Sequence, residues 1–194
     1  MTDFEAMYQR DDDPWSVRHS WYERRKRAVL MASLPRAHFD KVLELGCGVG
    51  ETTYCLASIG GHVVAVDAST TAAAICARRV EQAGSENVSV QVLQLPACWP
   101  ASTDNPFDLI VVSELAYYFS ELELVSFMDQ CVTSLAPQGV WVMCHYKPDF
   151  HDRIGSTDEI HNSVDKLHGL QKIISHDDEQ FRLDIWRQAA GDCS

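Results

Sequence analysis

Val42-Leu-Glu-Leu-Gly-Cys-Gly-Val-Gly50 is the stretch that decides the fold of this 194-residue chain. Its apolar start predicts a buried strand, and its three glycines predict a tight turn that opens a helix. Since glycine has no Cβ, the backbone of such a turn can approach a ligand closely. The next predicted strand covers residues 62–66 and ends at Asp67. An acidic side chain there can accept hydrogen bonds from both hydroxyls of a ribose. The stretch therefore predicts an adenosine-type ligand at the ends of two parallel strands.

Short apolar strands and helical segments alternate along most of the chain. Such alternation predicts βαβ units and a largely parallel sheet. Two later strands, over residues 170–174 and 181–186, flank an acidic turn and predict an antiparallel hairpin at one edge. The predicted fold class is α/β, with a Rossmann-like, mostly parallel seven-stranded sheet and an antiparallel C-terminal hairpin. The parallel strands are predicted over residues 42–45, 62–66, 88–93, 107–112 and 140–144, with helices ending near residues 59, 83 and 135.

The length of the chain predicts a single domain over residues 1–194. We divide it into an N-terminal helical lid or cap (1–38), a cofactor-binding core (39–146), and a C-terminal helix with the edge hairpin (147–194). A helix is predicted over residues 20–33, because apolar and aromatic side chains recur there at helical spacing and a proline follows.

The composition narrows the classes of partner. Sixteen Lys and Arg against 28 Asp and Glu give a formal net charge of −12, which disfavours nucleic acid because phosphate backbones need clustered cations. The one basic run, Arg24-Arg-Lys-Arg27, is flanked by acidic residues and is typical of a solvated helix face. No apolar run approaches the roughly 20 residues that span a bilayer, and the acidic N-terminus lacks a secretory pattern. We expect a soluble, cytoplasmic protein with a small-molecule partner and no membrane partner.

The cysteines and histidines predict no metal site. The eight histidines form no H-E-x-x-H pattern, and the cysteines include no C-x-x-C pair. An odd number of cysteines, several in apolar surroundings, predicts reduced and mostly packed thiols. The seven cysteines stand at positions 47, 55, 76, 98, 131, 144 and 193.

The spacing of Glu44, Gly46, Gly48 and Gly50 resembles motif I of the class I S-adenosylmethionine-dependent methyltransferases. The dinucleotide fingerprint differs from it, because its glycines are spaced to hold a pyrophosphate at a helix N-terminus. S-adenosylmethionine carries no phosphate but does carry an ammonium. Glu44 would repel a pyrophosphate and can attract that ammonium. The resemblance predicts a Rossmann-like class I methyltransferase fold with S-adenosyl-L-methionine as cofactor, and it disfavours an NAD-dependent reductase.

Other segments match the same family. Residues 107–115 resemble motif IV, which carries the fourth strand and the acceptor-side loop, and residues 135–139 resemble the turn before the fifth strand. One segment departs from the family, which often has an acidic residue after the third strand, where this chain has Leu95-Pro-Ala-Cys98. We expect backbone groups and apolar packing to recognise adenine there. The predicted cofactor contacts beyond motif I and Asp67 are Ala68, Pro96, Ala97 and Ser113.

A narrower resemblance is to the NodS-like nodulation N-methyltransferases. The resemblance extends over about residues 5–145. The matching segments include Asp13-Pro-Trp15, Tyr22-Glu-Arg24, the glycine motif and residues 108–119. That family methylates an amino-sugar nitrogen on a deacetylated chitin oligosaccharide, so the resemblance implies N-methylation of an amine. It also implies that Trp15, Tyr22 and Arg24 form a lid over the cofactor. The alternative for these three residues is an ordinary N-terminal helix packed on the sheet.

Three side chains after the fourth predicted strand are the candidate catalytic residues: Glu114, Tyr117 and Tyr118. Methyl transfer from a sulfonium is an in-line displacement that needs alignment and an acceptor for the departing proton. Glu114 can pair with an ammonium or take a proton, and the tyrosines can flank the sulfonium or stack on a sugar. The alternative for both tyrosines is core or helix-cap packing.

The function predicted is S-adenosylmethionine-dependent N-methylation of a small molecule, with an amino-sugar or chitooligosaccharide-like acceptor. Two alternatives stay open: O-methylation of a small metabolite, and a catalytically silent cofactor-binding scaffold. The intact Glu44, glycines and Asp67 argue against the silent protein. The oligomeric state is left open by the sequence.

Overall fold

The structure is a computed structural model that describes residues 3–100 and 106–190. Within these residues the chain forms seven strands, six α-helices and one 3-10 turn. The strands are β1 Phe39–Leu45, β2 Gly60–Asp67, β3 Val88–Val92, β4 Phe107–Ser113, β5 Leu135–Tyr146, β6 Leu170–Asp177 and β7 Phe181–Gln188. The helices are α1 Phe4–Arg10, α2 Trp21–Ser33, α3 Glu51–Ala57, α4 Thr70–Gln82, α5 Glu121–Ser134 and α6 Thr157–Val164, and the 3-10 turn covers Ala116–Tyr118.

The chain divides into two compact units, Met1–Pro100 and Ala101–Ser194. The first unit has the strand order β3-β2-β1, and all three strands run parallel. Leu45 pairs with Val66, and Asp67 pairs with Val92. The carboxyl ends of the three strands therefore meet at one edge, which is where ligands bind in open parallel sheets.

The second unit has the strand order β4-β5-β7-β6. β4 runs parallel to β5, whereas β7 is antiparallel to both β5 and β6. The predicted α/β fold class, a mostly parallel seven-stranded sheet with an antiparallel C-terminal hairpin, is confirmed. The single-domain organisation over residues 1–194 stays a prediction.

Several predicted boundaries differ from the structure, and two of these differences involve glycine-containing turns. The helix predicted to end near residue 59 ends at Ala57, and Gly60 and Gly61 are the first residues of β2 rather than the break after the helix. β5 begins at Leu135 rather than at residue 140, and the predicted turn 137–139 is an irregularity within it. Leu135 already pairs with Phe107, and Gln138 takes a φ of 63°, so the chain makes its turn without leaving the strand.

Buried apolar strands and side-chain caps account for these elements. The central residues of β1, β2, β4 and β5 are almost wholly buried, as fully covered parallel strands are. Ser69, Ser120 and Ser156 cap α4, α5 and α6 by accepting a hydrogen bond from a backbone N–H of the first turn. Six cysteines, at positions 47, 55, 76, 98, 131 and 144, carry free thiols, and Cys193 lies outside the described residues.

Candidate functional site

The glycine loop over residues 46–50 joins β1 to α3 with three left-handed glycines. Gly46, Gly48 and Gly50 have φ values of 81°, 52° and 85°. A Cβ on Gly48 would lie 3.0 Å from the Tyr8 hydroxyl oxygen. A Cβ on Gly50 would lie 2.7 Å from the Cys76 Sγ. Gly50 therefore allows α3 to start close against α4, while Gly48 allows the Tyr8 hydroxyl to approach the loop closely.

Asp67 ends β2 beside this loop. Its Oδ2 accepts a hydrogen bond from the Gly48 N–H at 2.8 Å, and its Oδ1 accepts one from the Ser69 N–H at 2.9 Å. Burial raises the pKa of the Asp67 carboxyl, and the hydrogen bonds from Ser69 and Gly48 oppose that rise. Each carboxylate oxygen keeps accepting capacity beyond its backbone bond. The carboxylate is thus oriented by main chain and can accept two ribose hydroxyls.

Glu44 lies beneath the loop with only 4% of its surface exposed. The Thr53 hydroxyl of α3 donates to Glu44 Oε2 at 2.5 Å. Burial raises the pKa of the Glu44 carboxyl well above its ordinary value, although the bond from Thr53 acts in the other direction. The structure gives Glu44 a role in joining β1 to α3. Its contact with a cofactor ammonium stays a prediction.

The other predicted cofactor residues of the first unit lie at the same strand edge. Ala68 follows Asp67 and is exposed. Pro96, which is buried, and Ala97, which is exposed, belong to the turn that follows β3. Because β2 and β3 end together, these residues lie on the side of the unit that carries Asp67.

The helix α1 is fastened to the start of α4, a contact that the sequence did not reveal. The Glu5 carboxylate accepts hydrogen bonds from the hydroxyls of Ser69 and Thr71, both at 2.7 Å, and from the Thr71 N–H at 3.1 Å. The bonds from Ser69 and Thr71 lower the pKa of Glu5 to about 2. Apolar side chains at Phe4 and Tyr8 were the available signal for this seven-residue helix.

The predicted lid residues fall into two places. The Trp15 ring lies 5.6 Å from the Tyr8 ring and 6.2 Å from the Phe4 ring, so Trp15 joins the aromatic side chains of α1. Tyr22 and Arg24 lie on α2 instead. Tyr22 is half-buried with the Lys26 ammonium 5.1 Å from its ring, and Arg24 is exposed. A lid role for these residues stays a prediction.

In the second unit, Ser113 ends β4 and Glu114 turns the chain. Ser113 pairs with Cys144 of β5. Glu114 has a φ of 57°, a strained value for a residue with a side chain. Its Oε2 accepts hydrogen bonds from the Tyr146 N–H at 3.1 Å and from the Tyr117 hydroxyl. Strain of this kind collects at functional sites, where the surrounding contacts hold it in place.

Tyr117 and Tyr118 form the 3-10 turn after Glu114 and contact each other, with ring centroids 4.8 Å apart. Phe150 lies 4.9 Å from the Tyr117 ring and 5.9 Å from the Tyr118 ring. Burial raises the pKa of Tyr118 well above its ordinary value, and the charges of Asp152 and Glu114 raise it further. The Tyr118 hydroxyl therefore stays protonated and can donate a hydrogen bond. Phe150 and Asp152 could not be predicted as neighbours of Tyr118, because they lie in an irregular segment after β5 that has no sequence periodicity.

Residues 42–139 match a protein family described as "Methyltransferase domain". The chain belongs to this methyltransferase family. It is 29% identical over 131 residues to Nodulation protein S of Sinorhizobium fredii and 30% identical over 130 residues to that of Rhizobium tropici. Each match covers 66% of this chain but only 58% and 52% of the relatives. The matched region thus spans little more than half the length of these curated relatives.

Solved structures extend the likeness over more of the methyltransferase chain. A putative methyltransferase from Pseudomonas syringae is 33% identical, with a TM-score of 0.76 over 87% of this chain and 100% of its own. The N-methyltransferase NodS from Bradyrhizobium japonicum WM9, in complex with S-adenosyl-L-homocysteine, has a TM-score of 0.82 over 96% of this chain and 99% of its own. At 22% identity the NodS structure shows the shared fold. The predicted NodS-like resemblance, the enzyme class and the S-adenosylmethionine cofactor are confirmed at the level of the family.

The residues of the first unit suit the cofactor of this methyltransferase class. Asp67 is an oriented carboxylate, and a side chain at Gly48 would fill the space beside the Tyr8 hydroxyl.

Over the described ranges 3–100 and 106–190, no group of three His, Cys, Asp or Glu side chains is arranged to hold a metal ion. In those same ranges, no helix combines the length and apolar character needed to cross a membrane.

Proposed function

We propose that this methyltransferase transfers a methyl group from S-adenosyl-L-methionine to the nitrogen of a small, amino-sugar-like amine. The observation that carries the proposal is the carboxylate of Glu114, which accepts hydrogen bonds from the Tyr117 hydroxyl and the Tyr146 N–H while the Glu114 backbone takes a left-handed φ. Such an arrangement places an acceptor-only group, when ionised, at the end of a buried strand. A carboxylate at this place can pair with a protonated amine, and it can accept the proton that the amine loses.

The first unit holds the cofactor in this proposal. Asp67 accepts the ribose hydroxyls, and the backbone at Gly46 and Gly48 faces the ligand without an intervening Cβ. Pro96 and Ala97 contribute apolar and backbone contacts to the adenine. Glu44 acts through Thr53 and the start of α3, and it reaches the cofactor ammonium directly or through water. When bound, the sulfonium supplies an electrophilic methyl group.

The second unit supplies the acceptor side. Glu114 orients the amine and accepts a proton, so that the nitrogen presents its lone pair to the methyl carbon. The Tyr118 hydroxyl donates a hydrogen bond to the acceptor. Phe150 and Tyr118 offer aromatic faces to a cation or to the face of a sugar ring. Ser113 lies one residue before Glu114 and contacts the ligand at the strand end.

The electrostatics support an amine rather than an anionic acceptor. Glu114 and Asp152 both place negative charge near Tyr118, and the whole chain carries a formal net charge of −12. A protonated amine is attracted to such a surface, whereas a carboxylate is repelled. The relatives named NodS, one of them described as an N-methyltransferase, point the same way.

Two measurements test the proposal. Calorimetry should show binding of S-adenosyl-L-homocysteine and no comparable binding of NAD. Labelled S-adenosylmethionine should then transfer its methyl group to glucosamine and chitosan oligosaccharides but not to their N-acetylated counterparts, which lack a basic nitrogen. Label that appears equally on the N-acetylated sugars, or on oxygen, would overturn N-methylation. Cofactor binding without transfer to any amine or hydroxyl would favour the silent scaffold.

A further inference from the structure

Three buried polar side chains form a hydrogen-bonded chain that ends at the turn after Glu114. His145 lies in β5, His161 in α6 and Asp184 in β7, and each has 0% of its surface exposed. The Ala116 N–H donates to His145 Nε2 at 3.1 Å. His145 Nδ1 lies 3.0 Å from His161 Nε2, and His161 Nδ1 lies 2.8 Å from Asp184 Oδ2.

The direction of every bond in this chain follows from its first donor. His145 Nε2 faces an N–H, so that nitrogen is unprotonated and the ring proton sits on Nδ1. His145 Nδ1–H then donates to His161 Nε2, which leaves the proton of His161 on Nδ1. That N–H donates to the Asp184 carboxylate. A proton added to either ring would place an N–H against the Ala116 N–H or against the other ring, so only the neutral state satisfies all four groups.

The far end of the chain is anchored by cations. Arg182 Nε donates to Asp184 Oδ2 at 2.7 Å, and Lys172 Nζ lies 3.6 Å from the same oxygen. Burial raises the pKa of the Asp184 carboxyl, but the bonds from His161 and Ser175 and the charges around it outweigh burial and lower the pKa below its usual range. Burial also lowers the pKa of His161, and this effect exceeds the opposing one of Asp184. Both directions favour the state assigned from the geometry.

Ala116 couples the chain to the acceptor-side residues. It lies two positions after Glu114 and is followed directly by Tyr117, whose ring is 5.3 Å from the His145 ring in an edge-to-face contact. Tyr117 in turn donates its hydroxyl to the Glu114 carboxylate. A strained φ such as that of Glu114 persists only where its surroundings over-determine it. His145 contacts the residues on which that conformation depends.

We propose that His145, His161 and Asp184 are positioning residues of the acceptor site, which hold the Ala116 N–H and thereby the Glu114 carboxylate in its working orientation. This inference rests on the proposed function. The hydrogen-bonded chain ends at the Ala116 N–H, and a backbone amide does not pass its proton to a substrate. The three side chains therefore orient the turn rather than relay protons.

Two substitutions of His145 separate positioning from packing. Gln keeps an acceptor, because its amide oxygen can reach the place of Nε2, whereas Phe keeps the ring and its contact with Tyr117 but has no acceptor. We expect H145F to lower kcat/KM for the amine on the order of 10²-fold, and H145Q to recover most of that loss. Cofactor affinity should stay unchanged in both, and the exposed His168→Gln serves as a control. If Phe is better tolerated than Gln, the role of His145 is packing and the proposal fails.

Nuclear magnetic resonance of the wild-type chain tests the same inference without activity or substitution. Histidine side-chain spectra should show the Nδ1–H tautomer for both His145 and His161 at neutral pH. The Ala116 amide should exchange slowly with solvent. An Nε2–H tautomer at His145, or a rapidly exchanging Ala116 amide, would overturn the positioning role. If the tautomers are as assigned and no amine is methylated, the proposed function fails while the hydrogen-bonded chain stands.

Discussion

Asp67 and Glu114 are both carboxylates that follow a buried parallel strand, but different parts of the chain hold them. Asp67 is held by two backbone N–H groups. Ser69 lies in the loop that follows Asp67 itself, and Gly48 lies in the loop that follows the neighbouring strand β1. Glu114 is held by one backbone N–H and a tyrosine hydroxyl, in a left-handed conformation. The position of Asp67 is therefore set by main chain, whereas that of Glu114 depends on side chains.

This difference predicts which of the two carboxylates is more sensitive to substitution of its neighbours. A loop held by backbone hydrogen bonds keeps its geometry when neighbouring side chains vary. The turn at Glu114 depends on Tyr117 and, through Ala116, on the buried His145, so distant substitutions can move it. We therefore expect substitutions of neighbouring side chains to disturb the position of Glu114 more than that of Asp67.

Glu114→Gln gives the largest expected effect. The amide cannot accept a proton or neutralise an ammonium, so methylation of the amine should slow by roughly 10²-fold or more. Affinity for S-adenosyl-L-homocysteine, measured by calorimetry, should stay nearly intact because Asp67 and the glycine loop are untouched. The exposed Glu121→Gln is the matched control. Full turnover by the Glu114→Gln variant would remove Glu114 from the mechanism and direct the search for a base to Tyr117 or solvent, because His145 is wholly buried and already accepts the Ala116 N–H.

Asp67→Ala tests the contribution of the Asp67 carboxylate to cofactor binding. Loss of the carboxylate should weaken binding of S-adenosyl-L-homocysteine by about 1.5–3 kcal/mol, the usual scale of charge-assisted hydrogen bonds. Asp67→Asn keeps one acceptor oxygen and should weaken binding less. Thermal unfolding of both variants separates loss of affinity from loss of the loop. Unchanged affinity in a folded Asp67→Ala variant would mean that the ribose is held elsewhere.

More of the region around Asp67 than of the region around Glu114 could be predicted from the sequence. The glycine spacing and the strand ending at Asp67 are local patterns, and together they predicted the loop, its helix and the nucleoside carboxylate. Glu5 lies 64 residues from Ser69, and His145 lies 16 residues from His161, so no local periodicity connects either pair. Tyr117 and Tyr118 could be predicted as candidates because they lie within five residues of the end of a predicted strand. Their partner Phe150 and the strained φ of Glu114 became visible only with tertiary structure.

Gly50→Ala tests whether this glycine serves packing rather than the ligand. The new Cβ would lie 2.7 Å from the Cys76 Sγ, in a residue with a φ of 85°. Gly84→Ala is a matched control, because Gly84 has a φ of 72° and no heavy atom within 4 Å of its Cβ position. Urea unfolding should show that Gly50→Ala costs about 1–3 kcal/mol more stability than Gly84→Ala, the usual cost of overpacking. Equal losses would show that α3 and α4 adjust freely.

Buried His161 makes the free energy of unfolding depend on pH. Burial lowers the pKa of His161 below its ordinary value of 6.5, although Asp184 opposes the shift. The unfolded chain therefore binds the proton first as the pH falls. This contribution to stability is fully present above pH 6.5 and is lost as the pH falls toward the lower folded pKa, by at most about 1.4 kcal/mol per pH unit. Urea unfolding between about pH 7.5 and 5.5 should show a steeper loss for the wild type than for His161→Phe, and parallel slopes would contradict the assignment.

The smallest expected effect is a change in hydrogen exchange of the N-terminal segment, which tests whether this segment covers the cofactor. Glu5 fastens α1 to Ser69 and Thr71, directly after Asp67, and Tyr8 lies over Gly48. If this segment covers the cofactor, hydrogen exchange across residues 8–27 should slow when S-adenosyl-L-homocysteine is added, as lids commonly do. Glu5→Gln weakens the attachment and should speed exchange in α1 without ligand, whereas Arg10→Gln, at the exposed end of the helix, should not. Protection confined to residues 46–50 would identify the segment as a packed helix and would separate the lid from the site it adjoins.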